Sequence, residues 1–333
     1  MAVTIRDVAQ ACGVHVSTVS RTFSAPHLVN PETRNRVLAV AEQLGYRPNR
    51  AARALTTGRT HNIGLIVADI ANPFFPPLIK AAQSHARQRD YHVFVADTDE
   101  DPRVEEELIQ ALAKQVDGVL LCSPRLSNRT IDRLREDVPF VVINRHVKGL
   151  PAVLMDVGHG AQQAIEHLVA LGHRRLGLLS GPPGSSNSRL IHDAAAAAAS
   201  AGAADLTVIG PNSPTEQGGQ IAAAEVMAAE VTGVLAYNDL VAIGLVEGLE
   251  ELGVEVPAEI SVIGIDDIMQ GRLNRPKLTT VAMPTIAAGR TAVDMLLQVV
   301  GTTDVGPAVT SLQTTLVVRD STAAPIRLPR EVT

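Results

Sequence analysis

Aromatic residues are nearly missing from this sequence: three Tyr, five Phe and no Trp among 333 residues, 2% in all. A core built without rings has to be aliphatic and Ala-rich, and the 46% hydrophobic content supplies the material for one. Cysteine is equally scarce. Cys12 and Cys122 stand far apart, with no C-x-x-C and no metal-ligand spacing. That excludes a disulfide framework and a zinc cluster, and leaves two small buried apolar side chains. No apolar run approaches the ~20 residues a bilayer-spanning helix needs. The segment Met1–Gln10 already carries Arg6 and Asp7 and has no hydrophobic signal core. The expectation is a cytoplasmic protein, neither secreted nor membrane-spanning.

Catalytic patterns are absent too. There is no H-E-x-x-H, no G-x-S-x-G, no P-loop, and no G-x-G-x-x-G after a strand. The ten His residues are scattered, and His159, His167 and His173 lack ligand spacing. The adjacent acids Asp266 and Asp267 fall at a strand end, where neighbours point in different directions, so only one can face a cleft. Neither an enzyme nor a metal or cofactor site is expected.

Nor is the chain basic overall, at net charge -6. The charge is uneven, however. Residues 1–60 hold eight arginines against Asp7, Glu32 and Glu42, a net +5 that leaves -11 on the rest. A small basic head on an acidic body implies that only the head meets a polyanion.

What is present divides the same way. In the head, Ile5, Val8, Ala9 and Cys12 recur at helical spacing behind Thr4 and Asp7, a capping-box-like start. Gly13 ends that helix. Val16, Val19 and Phe23 line a second helix, and Asn30-Pro31-Glu32 opens a third, lined by Val37, Val40, Ala41 and Leu44. Two short helices joined through Gly13-Val14-His15 have helix-turn-helix spacing. The non-core positions of the second are Ser17, Thr18, Ser20 and Arg21. Hydroxyls suit phosphate oxygens, and a guanidinium suits the paired acceptors of guanine. The same positions would equally serve as the solvated face of a small helical bundle.

From His61 onward, short aliphatic runs alternate with helical patterns. One set is 63–68, 92–96, 118–122 and 140–143; the other is 176–180, 206–209, 233–236 and 262–265. Such alternation means βαβ units with parallel sheets. Two sets of four point to two doubly wound lobes sharing one cleft at the strands' carboxyl ends. The Ala194–Ala199 run reads as a closely packed helix, since Ala is the best helix former. Asn72-Pro73-Phe74-Phe75 reads as an extended turn offering Phe74 and Phe75 to a ligand face.

The string TIRDVAQACGVHVSTVSRTFS, followed by VNPETRNRVLAVAEQLGYRPNRAARAL, resembles the lactose/galactose repressor (LacI/GalR) family. The likeness continues through IGLIVADIANPFF, VDGVLL, HLVALGHRRL, YNDLVAIG, VIGIDD and LTTV, from Thr4 to about Thr322. It implies a small all-α helix-turn-helix head (1–47), a hinge helix and linker (48–60), and an α/β body (61–333). That body would be two doubly wound lobes of periplasmic-binding-protein-like type that bind an effector and dimerise. It implies base-reading roles for Val16, Ser17 and Arg21, and phosphate contacts for Thr4, Thr18 and Ser20. His15 departs from the Ser that usually caps the recognition helix. In the hinge, Asn49 and Arg53 would meet the duplex, and Leu55 would wedge into the minor groove.

In the body, Arg189, Asn238 and Asp266 match effector contacts, and Asn144 matches a position that is often Asp. Around Ser213-Pro214-Thr215, where relatives often carry a stacking aromatic, there is none. The implied protein is a DNA-binding repressor acting as a homodimer on a pseudo-palindromic operator and controlled by a small polar effector, a sugar or sugar derivative. The segment Arg327–Thr333, with Pro329, has no leucine heptads of the kind that make family tetramers. The alternative is a periplasmic-type solute-binding protein, which calls for a signal peptide and no basic head.

Overall fold

The computed structural model describes residues 3–47, 58–301, 306 and 308–325. Asn49, Arg53 and Leu55, and the segment 327–333, lie outside the described residues. The chain divides into two compact units, Met1–His61 and Asn62–Thr333.

The first unit holds α1 (Ile5–Cys12), α2 (Val16–Ser24), a short 3-10 turn at Pro26–Leu28, and α3 (Pro31–Gln43). Gly13 stops α1 in the left-handed region at φ 65, the backbone that glycine adopts without a Cβ penalty. Asn30 starts α3, its side chain accepting the Glu32 N–H at 2.9 Å, with Pro31 in the first turn. The three helices close over Val8, Ala9, Cys12, Val19, Val37 and Ala41. Phe23 and Tyr46 add a ring contact at 5.8 Å.

The second unit is built on two six-stranded sheets. The first sheet uses β1 (Asn62–Val67), β2 (His92–Asp97), β3 (Gly118–Cys122), β4 (Phe140–Ile143) and β5 (Ala152–Met155). Helices α4 (Phe75–Arg87), α5 (Pro102–Leu112) and α6 (Asn128–Leu134) alternate with them. The second sheet uses β6 (Arg175–Leu179), β7 (Asp205–Ile209), β8 (Gly233–Ala236), β9 (Ser261–Asp266) and β10 (Thr279–Ala282). Its helices are α7 (Val157–Leu171), α8 (Ser186–Ala201), α9 (Glu216–Ala228), α10 (Asp239–Glu251) and α11 (Met269–Leu273). The chain then returns as α12 (Thr285–Gly301), β11 (Val309–Leu312) and β12 (Thr315–Val317).

Strand order is β11-β5-β4-β3-β1-β2 in the first lobe and β12-β10-β9-β8-β6-β7 in the second. Every pair is parallel except β10 with β12. The chain therefore passes between lobes three times: after β5, after β10, and between β11 and β12.

All eight anticipated aliphatic runs form strands, within a residue of the expected bounds. Strands β5, β10, β11 and β12 were not anticipated. Ala152–Met155 and Thr279–Ala282 are only four residues each and run almost directly into helices. Strands β11 and β12 are sheet edges whose partly exposed Thr and Ser positions break up any aliphatic run.

Small residues set the helix spacing. A Cβ on Gly244 would lie 1.8 Å from the Glu216 carbonyl oxygen, and one on Gly219 would lie 2.0 Å from that of Val241. Helices α9 and α10 therefore meet backbone to backbone. The alanine run lies on α8, with Ala195, Ala198 and Ala199 buried.

Candidate functional site

On the first unit, His15 occupies the N-cap of α2 with extended backbone, φ -72 and ψ 148. Its Nδ1 accepts the Ser17 backbone N–H at 3.3 Å and lies 2.8 Å from Ser17 Oγ. The imidazole thus supplies the cap that the departure from Ser had put in question. Ser20 and Arg21 are exposed and Thr18 is half-exposed. Among the described residues the side chains of Thr18, Ser20 and Arg21 make no hydrogen bond; the Thr18 and Ser20 carbonyls accept from the Thr22 and Ser24 hydroxyls. Val16 is half-buried and packs partly against the head's core.

Thr4 differs from the expectation of a free phosphate ligand. Its N–H and its hydroxyl both donate to Asp7 Oδ2 at 2.8 Å. Those two hydrogen bonds hold the Asp7 carboxyl below its usual range. A phosphate contact by Thr4 would have to displace that carboxylate.

On the second unit, polar side chains collect at the carboxyl ends of the parallel strands of both lobes, as open α/β sheets require. From the first lobe come Asn72 after β1, Glu100 after β2, Ser123 and Arg125 after β3, and Asn144 after β4. From the second come Asn187 after β6, Tyr237 and Asn238 after β8, and Asp266 ending β9, with the Pro214 ring beside them. They enclose about 460 Å³ of empty space, part of it open to solvent.

Asp266 sits in this cleft at φ 124, a strained backbone for a residue with a Cβ. Among the described residues nothing hydrogen-bonds its carboxyl. Burial, and then the neighbouring Asp239 carboxylate, push it well above the usual carboxylate range. Asp267 serves a different partner set, pairing with Arg272 at 2.6 Å and Arg319 at 2.5 Å. The two adjacent acids are thus separated in role.

Asn144 is 6% exposed, with φ 67. Its Nδ2 reaches Ser123 Oγ at 3.4 Å, and its Oδ1 has no partner among the described residues. Asn238 caps α10: Oδ1 accepts the Val241 N–H at 2.8 Å, and Nδ2 donates to the Pro214 carbonyl at 3.0 Å. One amide hydrogen of Asn238 is left for a ligand.

Two expectations need correction. Phe74 and Phe75 do not form an extended turn. Phe74 is already helical (φ -61, ψ -41), its N–H donating to Asn72 Oδ1, and Phe75 begins α4. The two rings meet edge to face at 4.9 Å and are 6% and 4% exposed, so they form cleft wall as part of the core. Pro at the next two positions favours that helical start. Arg189 lies on the exposed side of α8 and is not part of the lining. Behind burial, and together with Arg125, its charge helps hold the Arg145 guanidinium below its ordinary range.

The cation that does line the cleft is Arg125. It grips Glu100 through Nε at 2.5 Å and Nη2 at 2.9 Å, and the Ser123 carbonyl through Nη1 at 2.9 Å. Tyr237 bonds Ser185 Oγ at 2.9 Å, and its ring packs so closely on Gly181 that a Cβ there would lie 2.3 Å from it. Arg125, Glu100, Tyr237 and Asn187 escaped the sequence reading. Arg125 and Glu100 are marked only by position, just past the ends of strands that were themselves legible, whereas Tyr237 opens the YNDLVAIG string and Asn187 stands in the first turn of α8.

Among the described residues no helix is long and apolar enough to cross a membrane. Residues 4–49 match the bacterial regulatory proteins of the lacI family, and residues 165–322 match the periplasmic binding protein-like domain. The chain is 36% identical to the HTH-type transcriptional regulator GalS of Salmonella typhimurium, over 96% of this chain and 97% of that protein. Its fold is similar to that of the lac repressor dimer bound to operator and the anti-inducer ONPF. That similarity has a TM-score of 0.88 and 27% identity, and covers 97% of this chain and 100% of that one. A LacI family transcriptional regulator from Enterococcus faecium with bound ribose is similar at TM-score 0.72 and 29% identity, over 79% of this chain and 99% of that one.

Proposed function

The chain belongs to the lacI family of bacterial regulatory proteins, and from that premise we propose that it is a homodimeric, sequence-specific transcriptional repressor. Its grip on a pseudo-palindromic operator is set by a small polar ligand, a sugar or sugar derivative, held between the two lobes. The observation that carries this reading is the cleft's composition. Its polar groups come from strand ends of both lobes, so a ligand touching both favours one lobe arrangement over another, which coupling requires. The ribose-bound relative supports a sugar as occupant. Asp266, Asn144 and Asn238 are the ligand's hydrogen-bond partners, with Arg125 and Glu100 beside them. Arg189 stands outside this set unless the lobes close further.

In the head, Arg21 and Ser17 read base edges, Val16 offers an apolar contact, and Thr18 and Ser20 serve phosphates, joined by Thr4 where a phosphate displaces the Asp7 carboxylate. Asn49, Arg53 and Leu55 carry the minor-groove contact of the hinge. Lobe movement separates or joins the two hinges of a dimer, and a coupling of about 1–3 kcal/mol would change operator affinity about 5–150-fold. A solute-binding protein would have no use for a helix-turn-helix head, which weighs against that alternative.

The test is fluorescence anisotropy of the full-length protein on tiled genomic fragments, first alone and then with a panel of neutral sugars. Saturable binding to a two-fold symmetric site, falling steeply with salt as counterions are released and altered by one sugar class, is expected. Leu55→Ala should weaken operator binding while calorimetric sugar affinity stays unchanged. Absence of any preferred fragment, or a sugar that binds in calorimetry yet leaves operator affinity untouched, would overturn the reading. Light scattering should give a dimer; a stable tetramer at micromolar concentration would contradict it.

A further inference from the structure

Ser17 has two hydrogen-bond donors, its backbone N–H and its hydroxyl, and both approach a single atom, Nδ1 of His15, at 3.3 and 2.8 Å. A backbone N–H can only donate, so Nδ1 is an acceptor and carries no hydrogen. The ring hydrogen of the neutral imidazole therefore sits on Nε2. At 2.8 Å from the same bare nitrogen, the Ser17 hydroxyl must also point its hydrogen inward. A serine hydroxyl ordinarily donates and accepts alike, and so reads bases poorly. This one is left with lone pairs only.

We propose that His15 is a specificity-determining residue that makes Ser17 an acceptor-only reader of the major groove, selecting a base with an exocyclic amino group. In that groove adenine N6 and cytosine N4 donate, whereas guanine and thymine present only acceptors there. The inference rests on the proposal that α2 is the helix that enters the groove. His15 is exposed, so replacing it leaves the core of the head untouched. The Nε2–H that remains is an exposed donor at the start of α2, suited to a phosphate oxygen.

The experiment selects preferred half-sites from a randomised duplex library with the full-length wild type, Ser17→Ala, His15→Ser and His15→Phe. The position read by Ser17 is the one whose preference Ser17→Ala flattens. Wild type should favour adenine or cytosine there on the contacted strand, by about 3- to 10-fold over guanine and thymine, the worth of one hydrogen bond. His15→Ser leaves the Ser17 hydroxyl free to turn, and His15→Phe removes the acceptor while keeping a ring. Both should admit guanine or thymine at that position alone. A helix-capping role without the reading role would lower affinity evenly across sites and leave the preference intact, which would overturn the proposal. So would a wild-type preference for guanine or thymine at that position. If specific binding persists but Ser17→Ala flattens no position, the proposal falls while operator recognition stands; loss of all specific binding by the wild type would instead remove the underlying reading.

Discussion

Thr280 donates its hydroxyl hydrogen to Asp239 Oδ1 across 2.5 Å, while Asp239 Oδ2 accepts the backbone N–H of Ile268 at 2.8 Å. Both donors flank the turn that carries Asp266. Thr280 Oγ1 also accepts the Asp267 N–H, at 3.3 Å. Asp239 thus clamps a turn in which Asp266 (φ 124) and Asp267 (φ 59) both hold left-handed backbone, at a cost of about 1–3 kcal/mol each. The clamp stands directly after Asn238, the cap of α10, so one helix start aligns two cleft residues.

That clamp titrates. Burial pushes the Asp239 carboxyl up to about 7, against ~3.9 in an unfolded chain. Between these values the native state holds a proton that the unfolded state lacks. The stability from this group is full below about pH 4 and is lost as pH rises through about 7. Asp266 acts in the same sense. His173 and His167, lowered by burial, act oppositely, adding stability as pH climbs toward ~6.5. Asp239→Asn mimics the protonated form and isolates one group. In urea titrations, wild type should lose up to about 1.4 kcal/mol per pH unit relative to the variant between pH 5 and 6.5. Parallel stability curves would refute the assignment.

Asp266→Ala should remove the ligand response and leave operator binding within about two-fold of wild type. Its carboxyl has no partner among the described residues, so nothing but the ligand loses a bond. A hydrogen bond made by a neutral carboxyl is worth about 0.5–1.5 kcal/mol, or about 2- to 13-fold in ligand affinity. Calorimetry for ligand and anisotropy for operator separate the two effects. A normal ligand response in the variant would show that the occupant binds elsewhere.

Arg21→Ala should cost about 1–3 kcal/mol on the preferred operator and relax base preference at the position it reads. Its guanidinium is exposed, so thermal stability should hold. Undiminished affinity with unchanged preference would rule Arg21 out as a reader.

Gly244→Ala should destabilise the second lobe by about 3 kcal/mol, although the same change in an open helix stabilises by about 1 kcal/mol. The sign reverses because the added Cβ would lie 1.8 Å from the Glu216 carbonyl oxygen. Guanidinium unfolding reads this directly, and a wild-type midpoint would refute the backbone contact.

Legibility followed the strength of local patterns. Val119, Leu120 and Leu121 are buried on both faces of a central strand, and such a run stands out in any sequence. Val309 and Ser311 lie on an edge strand next to water, where no periodicity has to survive. The cleft was half legible for a related reason. Asp266 and Asn238 lie inside strings that mark the family, whereas Arg125 and Glu100 belong to loops whose pairing is settled only when β2 and β3 are brought together on either side of β1. Phe74 and Phe75 misled because two aromatics after Asn-Pro suit a binding turn as well as a helix start, and burial alone decides between them. His15 could not be read as a cap from residue type, because an imidazole takes that role only at one ring orientation.

The interleaving of the two lobes orders events during synthesis. The first sheet stays incomplete until Val309–Leu312 emerges, and the second until Thr315–Val317. The head owes its core to residues before Tyr46 and that ring itself. At ribosomal rates of about 5–20 residues per second, the stretch between them takes roughly 15–55 s to make. Throughout that interval a nascent chain carries the residues of the head's core while neither sheet of the body is complete. Under the proposed function, two-headed operator binding and the pocket that controls it would therefore arrive together, at the end of synthesis.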